Sequence, residues 1–484
     1  MRICVSLVEG GVKEAVAAGV RAQELGADLI EVRFDSMEKL PDDLSPFRKL
    51  TVPRIATLRT RDQGGASDHS DEERARFFAR ADRIGFEFVD IELSSPLSSR
   101  LGRELRNARI ICSHHDISGT PSLSALIDAL VSTSSRGELA KVAVKVTSVT
   151  DLSRLVQAAK LFAATGERHI VIGMGELGAV TRVLGKSFGN EFTYASLEPG
   201  KESASGQLDI TTLKALGDQP MITGLTGNPL GHSLSPALHD LAFKELKVPG
   251  RYLSFPATDD ELGELMDLVR ELKVRGLNVT IPHKEKVMRH LDEIDPLAKR
   301  VGAVNVIVNE KGKLIGHNTD VTGLEKALLT AGADPKGKSV LVIGAGGAAR
   351  ACCAVLERRG AQTWITNRTP SRAQEVARDF SARVASYTDA PKMDFDMLIN
   401  CTPLGMEGFP GELPIDPRVF RAGQWVVDLI YNPEKTPFLA EAEARGAKTL
   451  SGMEMLIYQA TDAFEAWTGL RPPYEVMAAG ARNG

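Results

Sequence analysis

Two lysines stand inside one apolar, β-branched run, Lys141 and Lys145 of KVAVKV. An ammonium in an apolar interior is costly unless it is paired or neutralised. Strand period 2 puts both lysines on one face. A lysine held in a low-dielectric pocket gives up its proton readily and becomes a nucleophile for a ketone, through a Schiff base. Taken alone, either lysine also reads as a solvated strand end. Other reactive types close neighbouring apolar runs, however: Glu31 and Arg33 in LIEVRF, Arg59 in RIATLR, and His114 with His115 in RIICSHH. Adjacent strand residues face opposite ways, so one histidine of the pair, His114, is assigned to packing or to the surface.

A second chemistry is written further along. KSVLVIGAGGAAR is a strand running into Gly344, Gly346 and Ala349, the G-x-G-x-x-[GA] turn that opens a helix and cradles a dinucleotide pyrophosphate. Gly344, Ala345, Gly346, Gly347 and Ala348 form that loop. The next strand, TWITN, ends where an acid would bond the ribose 2′-hydroxyl of NAD; this chain has Asn367-Arg368-Thr369 there, with Arg372 four residues past Arg368. Two arginines beside a ribose favour a 2′-phosphate, hence NADP. Upstream, NPLGHSLSP places hydroxyls directly before a helix, with Ser235 read as the N-cap and Pro236 in the first turn. Such a terminus is also a good carboxylate site.

The bulk of the chain narrows the function classes. A length of 484 residues predicts two to four domains, and 43% hydrophobic with 25% charged residues is ordinary globular composition. Net charge is -4 and there is no dense Lys/Arg tract, so the electrostatic footprint of a nucleic-acid binder is missing. The five cysteines show no C-x-x-C and sit in apolar strand-like or helical runs, which reads as reduced, buried thiols; the nine histidines have no H-E-x-x-H spacing, so no metal is expected. No apolar run is long enough for a signal peptide or a spanning helix, and the expected compartment is the cytoplasm.

The elements that must position these residues follow two different repeat logics. Before residue 218, eight apolar runs (RICVSL, LIEVRF, RIATLR, FVDIEL, RIICSHH, KVAVKV, HIVIGM, FTYAS) alternate with helical stretches such as VKEAVAAGVRAQELGA. Eight βα units in about 210 residues point to a (β/α)8 TIM barrel, whose chemistry sits at the C-terminal strand ends. From residue 219 a new α/β pattern begins: MITGL, a helix from Ser235 through Leu246, RYLSFPA, a helix from Asp259, LNVTIP, a helix from Glu285, and AVNVIV. Chain alternation there implies a parallel-rich sheet. The expected domains are 1–218, a barrel; 219–322, a substrate lobe completed by 453–484; and 323–452, a Rossmann lobe.

Over nearly all of residues 1–215 the chain resembles a type I 3-dehydroquinate dehydratase, through VSL (Ser6), EVRFD (Glu31, Arg33), the Arg59 strand end, SHHD (His115), AKVAV (Lys141), MGELGAVTRVLG (Arg182) and SASGQ (Ser203, Gln207). The fold rule alone prefers Lys145, nearer the strand end; the motif selects Lys141 as the nucleophile. The resemblance implies that Lys141 condenses with the substrate ketone and that His115 is base for the neighbouring C–H, then acid for the departing hydroxyl. It further implies that Glu31 orients this machinery, that Arg182 grips a carboxylate, and that Arg33, Arg59, Ser203 and Gln207 hold substrate hydroxyls and close the lid. Gln63 stands where some members carry a glutamate.

Residues 220–484 resemble shikimate dehydrogenase, through GNPLGHSLSP, TIPHKE, GAVN, NTD, GAGGAAR, NRT, INCTPLGM, DLIYNP and GMEMLIYQA. By this resemblance Ser233, Ser235, Thr280, Asn305 and Gln459 bind the substrate, Lys284 and Asp320 form the catalytic pair, and Tyr431 closes the site. Asn400, Thr402 and Gly452 flank the nicotinamide, and the helix from Met453 returns to the substrate lobe. The expected function is therefore bifunctional: dehydration of 3-dehydroquinate, then NADPH-dependent reduction of 3-dehydroshikimate to shikimate. The alternatives are a quinate dehydrogenase in the second half and a non-catalytic regulator built on the same domains. Lys141, His115, Lys284 and Asp320 are all present, which speaks against the regulator.

Overall fold

The computed structural model describes residues 1–231, 233–407, 409 and 413–483. The chain divides into two compact units, Met1–Pro220 and Met221–Gly484. His232, part of the NPLGHSLSP motif, lies outside the described residues. No described helix is long and apolar enough to cross a membrane.

In the first unit the eight expected runs become β1 (Arg2–Leu7), β2 (Leu29–Arg33), β3 (Arg54–Thr57), β4 (Phe88–Glu92), β5 (Arg109–Asp116), β6 (Leu139–Lys145), β7 (His169–Met174) and β8 (Phe192–Ser196). All neighbours pair in parallel, in cyclic order from β7 back through β1 to β8, with a two-residue strand Leu208–Asp209 beyond β8. Closure between β7 and β8 relies on a side chain. A bridge joins His169 to Asn190, and the Asn190 amide stands in for a strand by accepting from Val171 N (2.9 Å) and donating to Val171 O (3.0 Å). The helices are terminated by local chemistry. Asp71–Ile84 opens on a Ser70/Glu73 capping box and stops at Gly85, in the left-handed region at φ 90°.

Period 2 sorts the barrel interior into layers. Cys4, Leu29, Ile55, Phe88, Ile111, Leu139, Ile170 and Phe192, one residue per strand, form a buried apolar floor. Two residues further along each strand come Ser6, Glu31, Thr57, Asp90, Ser113, Lys141, Ile172 and Tyr194, and all but Ile172 are polar. The barrel thus changes from hydrocarbon to charge in a single step.

The second unit contains two sheets. The first runs Gly250–Ser254, Met221–Thr226, Gly276–Val279, Val306–Glu310, Lys313–His317, Glu293–Ile294. Three of its five pairings are parallel, and it is mixed because Val306–Glu310 is antiparallel to both of its neighbours. The reason is a two-residue hairpin turn, Lys311 and Gly312, both at positive φ (55° and 98°), which returns the chain at once and leaves no room for a crossover helix. The helix expected from Glu285 is only a short 3-10 turn, Lys286–His290. The second sheet is all parallel, in the order Arg383–Val384, Gln362–Thr366, Ser339–Ile343, Met397–Asn400, Trp425–Asp428, Lys448–Leu450. Counted within the sheet this is 3-2-1-4-5-6, the Rossmann order, with its switch point between Ser339–Ile343 and Met397–Asn400. The helix Met453–Thr468 then packs on the first sheet, where Trp467 donates its indole N–H to Ile307 O at 2.9 Å.

Candidate active sites

Lys141 is 5% exposed, whereas Lys145 lies exposed at the end of β6. The Lys141 amine is paired inside the barrel. Nζ donates to Asp90 Oδ2 at 2.9 Å, lies 3.8 Å from Glu31 Oε1, and sits 4.3 Å from the centre of the Tyr194 ring. Glu31 in turn accepts from Ser6 Oγ (2.5 Å) and Thr57 Oγ1 (2.9 Å). Asp90, fully buried, also takes the Arg59 guanidinium at 2.7 Å and Ser113 Oγ at 2.5 Å. Burial alone would push its carboxyl upward; Arg59, then Lys141 and His115, outweigh that and hold it well below the usual carboxylate range.

Arg59 was expected to hold substrate hydroxyls. It lines the cavity with its guanidinium held by Asp90, by Glu92 (3.1 Å) and by Ser113 (2.7 Å), and Glu92 is closed on its far side by the buried Arg74. Arg33 lines the cavity, but it is clamped by a two-pronged bond to Asp35 at 2.9 and 2.8 Å; Asp35 also accepts the backbone N–H of Ala66 and so ties down the loop carrying Gln63. Desolvation explains both arrangements, since an arginine this buried is held by acids of its own chain.

His115 stands at the rim with Nδ1 shielded and without a partner among the described residues. Burial, followed by the positive charges of Arg59 and Lys141, pushes its pKa well below the ordinary histidine value, so the ring is neutral and able to accept a proton at neutral pH. Gln63 Oε1 accepts the His115 backbone N–H at 3.0 Å and leaves the ring alone. Arg182 is 2% exposed with no acidic partner among the described residues, and burial lowers its pKa to about 10. Ser203 donates to Gln207 Oε1 from both backbone N (2.7 Å) and Oγ (3.2 Å), and Gln207 Nε2 is left unpaired. Glu31, Arg33, Arg59, His115, Lys141, Arg182, Tyr194, Ser203 and Gln207 line one cavity of about 570 Å³ including its open mouth. Asp90 and Glu92 were missed in the sequence. The argument that singled out Lys141, charge inside an apolar run, applies equally to FVDIEL.

In the second unit Lys284 Nζ donates to Asp320 Oδ2 at 2.6 Å. Asp320 begins the helix Asp320–Thr330, and its other oxygen accepts from Asn305 Nδ2 at 2.9 Å. The same amide approaches Gln459 Oε1 at 3.4 Å, bringing the returning helix into the site. Ser235 is the first residue of the helix Ser235–Glu245 and caps nothing; the residue before it is already helical, and the Ser235 N–H reaches Ser233 Oγ at 3.3 Å. Burial raises the pKa of Tyr431, in the loop after Trp425–Asp428, and Ser233 works against that rise. Thr280 stands just past Gly276–Val279, where its backbone N–H donates to Thr226 O.

Around the glycine turn, Gly344 has φ 115°, and a Cβ there would meet the Cys401 carbonyl and Thr402 Cγ2 at 3.2 Å. Gly347 starts the helix Gly347–Arg359, and a Cβ on it would lie 3.1 Å from Lys284 Cβ, so the glycine loop abuts Lys284 itself. Space around Gly346 is open. Thr402 is set by Asn400 Oδ1 (3.0 Å to N, 2.7 Å to Oγ1), and Asn400 by Asp428 (3.0 Å). Gly452 donates its N–H to Ile430 O at 2.9 Å. Asn367 Nδ2 donates to Thr369 O, and Arg368 and Arg372 are exposed with no partner among the described residues. Free cations at that strand end, with no carboxylate, fit a 2′-phosphate.

Family comparisons agree with this division. The family described as type I 3-dehydroquinase matches residues 3–218. The shikimate dehydrogenase substrate binding domain matches 225–307, shikimate / quinate 5-dehydrogenase 326–403, and the shikimate 5'-dehydrogenase C-terminal domain 452–479. A shikimate dehydrogenase (NADP(+)) of Desulforamulus reducens is 43% identical over 53% of this chain and 92% of its own length. Among solved structures, a shikimate 5-dehydrogenase from Thermus thermophilus in complex with NADP(H) and shikimate is 38% identical, covers 54% of this chain and 99% of that one, and superposes with a TM-score of 0.51. A quinate dehydrogenase from Corynebacterium glutamicum in complex with NAD is 31% identical, covering 55% and 99%, with a TM-score of 0.51. The chloroplastic bifunctional 3-dehydroquinate dehydratase/shikimate dehydrogenase of Arabidopsis thaliana is 34% identical across 98% of this chain and 83% of its own length. With a barrel site and a dinucleotide site on one polypeptide, and a relative that carries both along the whole chain, this protein belongs to the family of bifunctional 3-dehydroquinate dehydratase/shikimate dehydrogenases.

Proposed function

We propose that the barrel dehydrates 3-dehydroquinate through an imine on Lys141 and that the second site reduces the resulting 3-dehydroshikimate to shikimate with NADPH. In the barrel, Lys141 Nζ attacks the ketone carbon and water leaves, so that the iminium draws electrons from the adjacent C–H bond. Neutral His115 removes that proton, the β-hydroxyl departs with the proton returned by His115, and hydrolysis frees the lysine. Asp90 and Glu31 hold the amine in place, Arg182 takes the substrate carboxylate, and Ser203 with Gln207 covers the mouth. The observation that carries this reading is the layer of Lys141, Asp90 and Glu31 directly over an apolar floor, in one cavity with Arg182, which has no acidic partner among the described residues.

In the second site, Ser233, Ser235, Thr280, Asn305 and Gln459 surround the ring of the substrate, and Tyr431 closes over it. Lys284, held by Asp320, donates a proton to the carbonyl oxygen and offsets the charge that develops there. The glycine loop, Thr402, Gly452 and the free Arg368 and Arg372 would hold NADPH. When bound, that cofactor supplies the hydride.

The test is product analysis of the purified chain given 3-dehydroquinate and NADPH. Shikimate should appear with one NADPH consumed per molecule formed. Accumulation of 3-dehydroshikimate alone removes the second half of the reading. Direct formation of quinate would favour the quinate dehydrogenase reading, for which the likeness to the Corynebacterium glutamicum structure is the supporting observation.

A further inference from the structure

Among the side chains lining the barrel cavity, four have a solvent-shielded polar atom with no partner among the described residues: His115 Nδ1, Arg182 Nε, Gln207 Nε2 and Tyr194 Oη. The cavity's other polar groups at that depth are satisfied by the protein, Glu31 by Ser6 and Thr57, and Lys141 by Asp90. A buried polar atom without a partner is unfavourable, and such atoms are rare unless something else is to pair them. Three of the four belong to residues already given a part in the chemistry. Tyr194 is the fourth.

Its placement is firm. Tyr194 lies in β8, one period-2 step above the apolar floor and in the same layer as Lys141; it is 4% exposed. Its ring meets the Phe192 ring below it edge-on (5.4 Å between centres, 65°), and the Lys141 ammonium lies over its face at 4.3 Å. Phenylalanine would satisfy all of these contacts, so packing leaves the hydroxyl unexplained. Burial, with Glu31 and Cys4 nearby, raises the phenol well above its ordinary pKa, which keeps the proton on oxygen and makes the group a donor.

We infer that the Tyr194 hydroxyl is a substrate-binding donor of the dehydratase site, paired in the complex by a substrate oxygen between the carboxylate held at Arg182 and the carbon that joins Lys141. The inference rests on the barrel reading proposed above. A polyhydroxy keto acid suits this position, because it offers oxygens along the whole stretch between its acid and its ketone.

The experiment compares the parent chain with Tyr194→Phe. kcat/KM for 3-dehydroquinate should fall about ten- to a hundredfold, while thermal unfolding of the ligand-free chain starts no earlier than in the parent, since the substitution removes an unpaired hydroxyl and keeps the ring. A kcat/KM within about twofold of the parent overturns the assignment, and so does a loss matched by earlier unfolding, which would make the hydroxyl structural. In the same series the parent is treated with borohydride and substrate. An adduct on Lys141 leaves the barrel reading standing whatever Tyr194→Phe does, whereas no adduct removes that reading and the Tyr194 assignment with it.

Discussion

The two sites each centre on a lysine, yet they treat its charge in opposite ways. Lys141 is 6% exposed at its side chain and belongs to a chain of buried ions running Glu31, Lys141, Asp90, Arg59, Glu92, Arg74. Lys284 is 18% exposed and has one carboxylate partner among the described residues, Asp320, which is held in turn by the Asn305 amide. The chemistry accounts for the contrast. An iminium forms inside the barrel and forms again when the hydroxyl leaves, so the charges that position and stabilise it must be in place beforehand. The dehydrogenase admits two ligands that bring their own charges, and a fixed ionic lattice would obstruct them.

That comparison can be broken most severely at the nucleophile. Lys141→Ala should reduce dehydratase turnover by at least about 10⁴-fold, whereas Lys145→Ala should leave it near the parent value. Mass mapping of the borohydride adduct decides between them, and label on Lys145 would invert the assignment. A smaller loss is expected at the second lysine: Lys284→Ala should lower dehydrogenase kcat by roughly 10²- to 10⁴-fold with NADPH affinity little changed. If only KM for 3-dehydroshikimate rises, Lys284 binds substrate and donates no proton.

Cofactor choice gives the next effect in size. Arg368→Ala should weaken NADPH by about tenfold to a hundredfold and leave NADH nearly unchanged, as measured by titration with each. Equal weakening of both would mean that the arginine supports the fold or the adenine. The gentlest prediction separates the sites by pH. His115 has its folded pKa depressed, so its base form persists below the ordinary histidine range, and the acid limb of the dehydratase kcat/KM profile should lie below about pH 6.5. For stability the sign is the same: the unfolded chain binds the proton first, so this contribution is present above about pH 6.5 and is lost as pH falls toward the folded value. An acid limb at or above pH 6.5 would contradict the depressed pKa.

Local chemistry was readable from the amino-acid string. The eight barrel strands follow from period-2 apolar runs, and the Rossmann turn from glycines between a strand and a helix, because the interactions that set these features join residues near one another in sequence. Lys141, His115, Lys284 and Asp320 could also be named in advance, through motifs that are short and contiguous. The tertiary structure decided everything that depends on a partner far along the chain. Lys141 meets Asp90 across 51 residues, Arg59 is held by both Asp90 and Glu92, and Gln459 reaches Asn305 across 154 residues. The Lys311-Gly312 turn was overlooked, and with it the antiparallel hairpin in the first sheet of the second unit. Periodicity states which face of a strand a charge occupies, but the charge that faces it is set by strand order and stagger. Those emerge only when the sheet closes, and desolvation then forces each buried ion to find its counter-ion.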